Sequence, residues 1–156
     1  MSPTYASSTE VAPDRSRAEI ERTLTRFGAT RFMYEWDSEE AIVAFQANGR
    51  QVRFHLPMPD RQDRAFTHTE KRGNRRSADA QETAYNQAVR QRWRALSLVI
   101  KAKLEAVESG IATFDSEFAM HMVLPDGRYV ADHVLPAIHQ GYEGKSLPLL
   151  LPGGQS

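Results

Sequence analysis

The 156-residue sequence contains no cysteine. Disulfides and thiolate-bound metals are therefore excluded, and nothing indicates an oxidising compartment. No apolar run approaches the roughly 20 residues that span a bilayer. Residues 1–13 lack the basic start and apolar middle of a signal peptide. We therefore expect a soluble intracellular protein with no membrane partner, and a chain of this length is long enough for one domain with its own core.

The sequence also lacks the motifs that mark common enzyme classes. There is no Gly-rich phosphate loop, nucleophile elbow or zincin helix. The five histidines show no metal-ligand spacing, since even His133 and His139, six residues apart, would not share a helix face. The acidic group of Asp37, Glu39 and Glu40 lies at a predicted turn and is most simply a solvated charge run. We therefore predict no enzyme activity, no metal and no cofactor.

Charge is balanced overall but distributed unevenly. The chain has 20 basic and 20 acidic residues. The stretch from Arg50 to Arg94, however, contains eleven basic and five acidic residues, so it carries a net charge of +6 and the remainder carries −6. A basic region on a neutral protein indicates a polyanionic partner.

One long helix is predicted from about Ala80 to Ser109. Asp79 and Glu82 have the spacing of a capping box, and Gly110 can take the left-handed conformation that ends a helix. At about 100° per residue, one face is apolar along the whole length. The residues of this face are Tyr85, Val89, Trp93, Leu96, Ile100, Leu104, Val107 and Ile111. We expect this face, including Trp93, to lie in the core.

The residues before this helix predict a shorter helix and an antiparallel meander. Ser16 and Glu19 form a second capping-box pattern ahead of an amphipathic stripe that ends at Gly28, which predicts helix 17–27. Residues 1–13 are expected to be a flexible tail. Strand-like runs follow at 30–36, 41–47 and 51–56, and Asn48-Gly49 is a strong hairpin signal. The strand aromatics fit either a core or a base-stacking surface; they are Tyr34, Trp36, Phe45 and Phe54.

Residues 57–78 show no periodicity and predict a long basic loop within a domain that covers residues 14–145. A loop of this length is typically functional or disordered. Its charge suits a flexible arm that orders on a phosphate backbone.

The C-terminal third predicts small helices and a tail. We favour a short helix that starts at Thr113 or Asp115 and ends at His121, although residues 120–124 also fit strand alternation ahead of the turn at 125–127. A second helix is predicted from about Tyr129 to Tyr142. Pro136 argues against a continuous helix there, because proline lacks a backbone donor. Residues 146–156 are expected to form an extended apolar tail that packs on its own domain or on a neighbour.

The candidate binding residues are the cations of the long loop, the cations on the polar side of the long helix and one arginine of the third strand. An ordinary solvated surface is the competing interpretation of these charges. The predicted nucleic-acid-binding residues are Arg53, Arg61, Arg64, Lys71, Arg72, Arg75, Arg76, Arg90, Arg94 and Lys101.

The chain resembles a family of small proteins encoded by temperate phages and prophages. The resemblance is carried by residues 15–21, 52–57, 90–110, 123–127 and 149–152. It implies a phage context, and hence the cytoplasm of a bacterial host, but no chemistry. The element order of helix, three strands and long helix is also similar to double-stranded RNA-binding domains and to the core of single-strand annealing proteins. In the annealing family, a basic groove between sheet and helix holds DNA, and the proteins assemble into rings or helical arrays.

These observations predict an α+β fold: an N-terminal helix, a three-stranded antiparallel meander, one long helix packed on the sheet and small C-terminal helices. The function predicted is non-enzymatic nucleic-acid binding, with single-stranded DNA binding or annealing in phage replication or recombination. The alternative is an interaction or assembly module, such as a homo-oligomer, that docks through the long helix and the C-terminal tail. Leu98, on the polar side of the helix, is consistent with that alternative.

Overall fold

A computed structural model describes residues 4–150, with side chains from residue 14 onward. The fold is α+β, as predicted. The helices are α1 (Thr4–Phe27), α2 (Arg64–Thr67), α3 (Ala78–Glu108), α4 (Phe114–Phe118) and α5 (Val130–Tyr142), with a single 3-10 turn at Ala119–His121. The strands are β1 (Arg31–Trp36), β2 (Glu40–Ala47), β3 (Arg50–Pro57) and β4 (Met122–Val123).

The four strands form one antiparallel sheet in the order β1-β2-β3-β4. Asn48 and Gly49 have φ values of 51° and 70°, which fits the two-residue hairpin turn that the sequence predicts. This turn pairs Ala47 with Arg50 and so sets the register of β2 against β3. The three-stranded meander is confirmed, and β4 extends it by pairing with residues 51 and 52 of β3.

The core lies on one face of the sheet, under α1 and α3. The apolar face of α3 is buried from Tyr85 to Leu104, and Trp93 is in the core as predicted. Ile111 is the exception at 83% exposed. Its assignment to this face was wrong, because the helix ends before Gly110 (φ 78°) and helical periodicity no longer applies beyond that point.

Two helix starts differ from their predictions. The cap of α3 is Ser77, whose Oγ accepts a hydrogen bond from the backbone N–H of Ala80 at 3.2 Å; the cap predicted at Asp79 was wrong. Both residues are good caps, and the chain uses the earlier one. Helix α1 starts at Thr4, so Ser16 lies within it and does not cap it. Extending a formed helix costs far less than nucleating one. Of the predicted tail, residues 4–13 are thus helical and residues 1–3 lie outside the described part.

The C-terminal third contains both of the structures that its sequence allowed. Thr113 caps α4, and the 3-10 turn ends at His121, as the favoured short helix predicted. Residues 122 and 123 are nevertheless a strand. Helix α5 tolerates Pro136. Leu147, Leu149 and Leu150 are exposed, whereas residues 151–156 of the predicted tail lie outside the described part. No helix between residues 4 and 150 combines the length and apolarity that crossing a membrane requires.

Candidate nucleic-acid interface

The predicted basic loop contains a defined turn, which we call the basic turn (residues 68–76). The turn is closed by an antiparallel bridge between His68 and Arg75. The backbone N–H of Thr69 donates to the carbonyl of Asn74 at 2.8 Å, and that of Gly73 donates to the carbonyl of Thr69 at 3.0 Å. Gly73 has φ 62°, a left-handed conformation that glycine adopts at no steric cost. The loop is therefore a short helix followed by a hydrogen-bonded turn.

Both ends of the basic turn are attached to the domain. Before it, Thr67 is buried and Phe66 packs edge-on against Tyr85 of α3, with ring centroids 5.9 Å apart. After it, the Gln81 side chain donates a hydrogen bond to the Arg76 carbonyl at 2.8 Å. The turn is therefore held against the first part of α3.

The basic turn brings five of the predicted cations together. Lys71, Arg72 and Arg75 are exposed on the turn, and Arg76 is half-buried at its end. A side chain at Gly73 would lie 3.4 Å from Nη2 of Arg64, so the guanidinium of Arg64 lies beside the same turn. None of the five makes an ion pair with a carboxylate in the part of the chain that the structure describes. Glu70 is the one acidic residue in the turn.

Two other predicted cations are engaged within the protein. Arg61 forms an ion pair with Glu82 and lies 3.9 Å over the Tyr85 ring. Nζ of Lys101 lies 2.7 Å from a carboxylate oxygen of Glu19, and this hydrogen bond and charge hold the pKa of Glu19 below its usual value. Their charges are therefore partly neutralised.

The remaining three predicted cations lie apart from the basic turn. Arg90 and Arg94 are exposed on α3. At 1.5 Å per residue, Arg90 lies about 18 Å along the axis from the start of the helix. Arg53 projects from β3 on the sheet face opposite α1 and α3, which we call the open face. The structure therefore groups five of the ten predicted residues and separates the others.

The strand aromatics mostly serve the core. Phe45 and Phe54 are buried, and Tyr34 lies 6.1 Å from Trp93 between ring centroids. Trp36, at 61% exposed, is the exception. The described sheet therefore has no continuous base-stacking surface, because β1, β2 and β3 turn these rings toward the helices.

The open face carries a series of hydrogen-bonded polar side chains that the sequence did not predict. Nδ1 of His55 lies 3.0 Å from a carboxylate oxygen of Glu40, and Nε2 lies 2.6 Å from the hydroxyl of Tyr129. Nη1 of Arg53 lies 3.5 Å from the same hydroxyl. The hairpin register places Glu40 beside His55 and was predictable from Asn48-Gly49. Tyr129, 74 residues away from His55 in sequence, carries no local signal.

Arg53 also lines a groove on the open face. The groove has a volume of about 1140 Å³ and lies between the sheet and the turn before α5. Its lining includes Met33, Ala44, Gln51 and Val123 but no carboxylate. Across the described residues, no three His, Asp or Glu side chains converge as a metal site would require.

No family model, no curated protein and no solved structure matches this chain. The resemblance to phage proteins therefore stays a prediction, and the functional argument depends on the residues themselves.

Proposed function

We propose that this protein is a non-enzymatic nucleic-acid-binding protein that contacts the phosphate backbone through the basic turn. The observation that supports this most is the group of five cations with no ion pair in the described structure. By contrast, Arg50, Arg61 and Lys101 each have a carboxylate partner. The proposed contact residues are Arg64, Lys71, Arg72, Arg75 and Arg76, with Arg90 and Arg94 as a second contact region.

The charge of the turn suits a backbone contact better than sequence recognition. Unpaired cations at a surface repel one another, and a phosphate strand would relieve that repulsion while releasing its own counterions. Lysine and arginine contacts to phosphate fix position but carry no base information. We therefore expect binding without strong sequence preference and with steep salt dependence.

Single-stranded DNA is the partner we propose, with annealing during phage replication or recombination as the context. The basic turn precedes α3, whereas Arg90 and Arg94 lie further along that helix. A flexible single strand can bend to reach both, whereas a duplex is stiff over this distance. The absence of a stacking platform favours contacts with phosphates over contacts with bases.

The test is the anisotropy of a labelled oligonucleotide, supplied as single-stranded DNA, duplex DNA or RNA. Titrations run from about 50 to about 200 mM salt, the range over which phosphate contacts weaken most visibly. The variant R72Q/R75Q/R76Q removes three charges from the basic turn. We expect its affinity for single-stranded DNA to fall at least about tenfold at low salt, and its log–log salt slope to fall by about 2.

The matched control is R15Q/R26Q/R128Q. These arginines are exposed, and none forms an ion pair among the residues described, so the change in net charge is identical. We expect the control to keep most of its affinity. Equal losses in both variants would show that net charge alone attracts the DNA, and no measurable wild-type binding at low salt would refute the proposal.

The second candidate is self-association through α5 and the tail after it. No residue of α5 is buried, and the exposed residues include Leu135, Ile138 and Tyr142. Leu147, Leu149 and Leu150 add further exposed apolar area, as Leu98 does on α3. Exposed apolar side chains on a helix and the segment that follows it are typical of an interaction site.

Light scattering of the full chain and of a chain that ends at residue 145 tests this candidate. We expect the full chain to exceed the monomer mass and the shortened chain to return to it. A monomeric full chain at high concentration would eliminate self-association and leave DNA binding untouched.

A further inference from the structure

Strand β1 is an edge strand whose outer side has no strand partner among the described residues. The sheet order β1-β2-β3-β4 places it at one end. An unpaired strand edge is a template for another strand, and proteins often protect it with lysine, proline or a very short strand. The six residues of β1 include neither lysine nor proline, and Met33 and Trp36 are 53% and 61% exposed. This edge is therefore open to pairing.

The register of the sheet shows which backbone groups of β1 face outward. Hydrogen-bonded and non-hydrogen-bonded pairs alternate along an antiparallel ladder. The backbone N–H of Asp37 donates to the carbonyl of the first residue of β2 at 2.9 Å, in the same register as the strand pairs. Glu35 and Met33, two and four residues before it, therefore also bond to β2. The backbone N–H and C=O groups of Phe32 and Tyr34 consequently point away from β2, toward the free edge.

The side chains of β1 on the open face are positive, apolar and negative in turn. They are Arg31, Met33 and Glu35, whereas Phe32 and Tyr34 pack against the core on the other face. Neither Arg31 nor Glu35 forms an ion pair within the described residues. An antiparallel second copy presents this order reversed, so each Arg31 would lie opposite a Glu35 and the two Met33 side chains would meet. The same register makes Phe32 and Tyr34 the hydrogen-bonded pairs.

We infer that β1 pairs with β1 of a second copy of this chain, antiparallel and about a two-fold axis at Met33, which joins two four-stranded sheets into one continuous sheet. A two-fold contact uses the same patch on both copies, and β1 is complementary to itself in charge and in backbone hydrogen bonding. The ladder is short, so the association is weak and transient. It uses no residue of the basic turn, α5 or the tail, and its test is therefore independent of both proposed functions.

The neighbouring register fits the charges less well. It would centre the pairing on Tyr34 and place Met33 opposite Glu35. It would also place Arg31 opposite Asp37, whose carboxylate already accepts two backbone N–H groups of the following turn at 2.7 and 2.9 Å. The register centred on Met33 instead pairs each arginine with a carboxylate that has no ion pair in the described structure.

The lack of cysteine makes a single introduced thiol an unambiguous reporter of this contact. Two residues at position 33 would form a non-hydrogen-bonded pair with Cα atoms about 4.5 Å apart, which permits a disulfide. The full-chain variant M33C should therefore form a disulfide-linked dimer at least tenfold faster than Q51C under the same mild oxidation. Gln51 is exposed on the same sheet face but lies on β3. Its two copies would be five strand spacings apart, about 24 Å.

Charge reversal in the M33C variant tests the two ion pairs. R31E places like charges opposite each other across the strands and should slow cross-linking at least tenfold. Adding E35R restores opposite charges in the reversed order and should return the rate to within threefold of M33C alone. Equal rates for M33C and Q51C, no slowing by R31E, or no recovery on adding E35R would each overturn the inference.

Amide hydrogen exchange of the wild-type chain gives a second measurement that needs no variant. The outward N–H groups of Phe32 and Tyr34 should exchange at least twofold more slowly at high than at low protein concentration. The N–H groups of Met33 and Glu35, which bond to β2 with or without a second copy, should exchange at the same rate at both concentrations. Exchange at Phe32 and Tyr34 that does not depend on concentration would overturn the inference, even if a variant failed to fold.

Discussion

Replacing Phe118 by alanine should remove a large part of the free energy of unfolding. Phe118 is 0% exposed and joins α4 to the sheet and to α3. Its ring lies edge-on to Phe45 and Phe54, with centroid distances of 6.0 and 6.3 Å, and stacks on Phe114 at 4.7 Å. Phe→Ala in a core costs about 3–5 kcal/mol. Because three rings and the Lys103 ammonium, 5.8 Å from the ring centroid, surround this site, we expect the upper half of that range.

Urea unfolding followed by circular dichroism measures this loss. With a slope of about 2 kcal/mol per molar for a chain of this size, the midpoint should fall by about 2 M. Ile111→Ala is the control, since Ile111 is 83% exposed and its truncation should cost less than about 0.5 kcal/mol. If F118A does not fold, Phe118→Leu should still lower the midpoint measurably. A loss below about 1 kcal/mol for F118A would refute the view that α4 is anchored through this ring.

Two further perturbations test local features of the fold. Ser77→Ala removes the side chain that caps α3 and should cost about 1 kcal/mol in urea unfolding, whereas Ser77→Asp should stay close to wild type; equal losses in both variants would contradict the cap. Burial holds the pKa of His121 below its usual value of 6.5, with Lys103 and His55 adding to the effect, so this histidine stabilises the fold above about pH 6.5 and that contribution is lost as the pH falls. Unfolding free energies between about pH 5 and 7.5 should therefore depend less on pH in His121→Gln than in wild type, and parallel pH profiles would contradict this.

The fold was predictable where its signals are local. The stripe from Tyr85 to Leu104 repeats within one helix, and Asn48-Gly49 specifies both a turn and a register within ten residues of chain. Gly110 likewise ended α3 where the sequence placed the stop. The cap of α3 was mistaken because Ser77 and Asp79 are both good caps, and only packing selects between neighbouring starts.

The candidate interface was predictable in part. The sequence showed an excess of cations between residues 50 and 94 but not which of them lie together in the fold and which pair with carboxylates. The turn closed by the bonds between Thr69 and Asn74 carries four of them, and Arg64 lies beside that turn. Arg61 and Lys101 pair with carboxylates that are 21 and 82 residues away in sequence, and β3 turns Arg53 to the other face of the sheet. The two ion pairs do not follow from local spacing, whereas the direction of Arg53 follows from its alternation with Val52 and Phe54 along the strand.

The sequence by itself determined the long helix, the meander, the apolar face of α3 and the basic character of the middle of the chain, because periodicity and turn chemistry act over a few residues. Only the tertiary structure decided that β4 pairs with β3, that Phe118 closes the core, and that Tyr129 joins His55 and Arg53 on the open face. These contacts join residues brought together by the packing of whole elements, and the free energy that selects them belongs to the assembled core and not to any single segment.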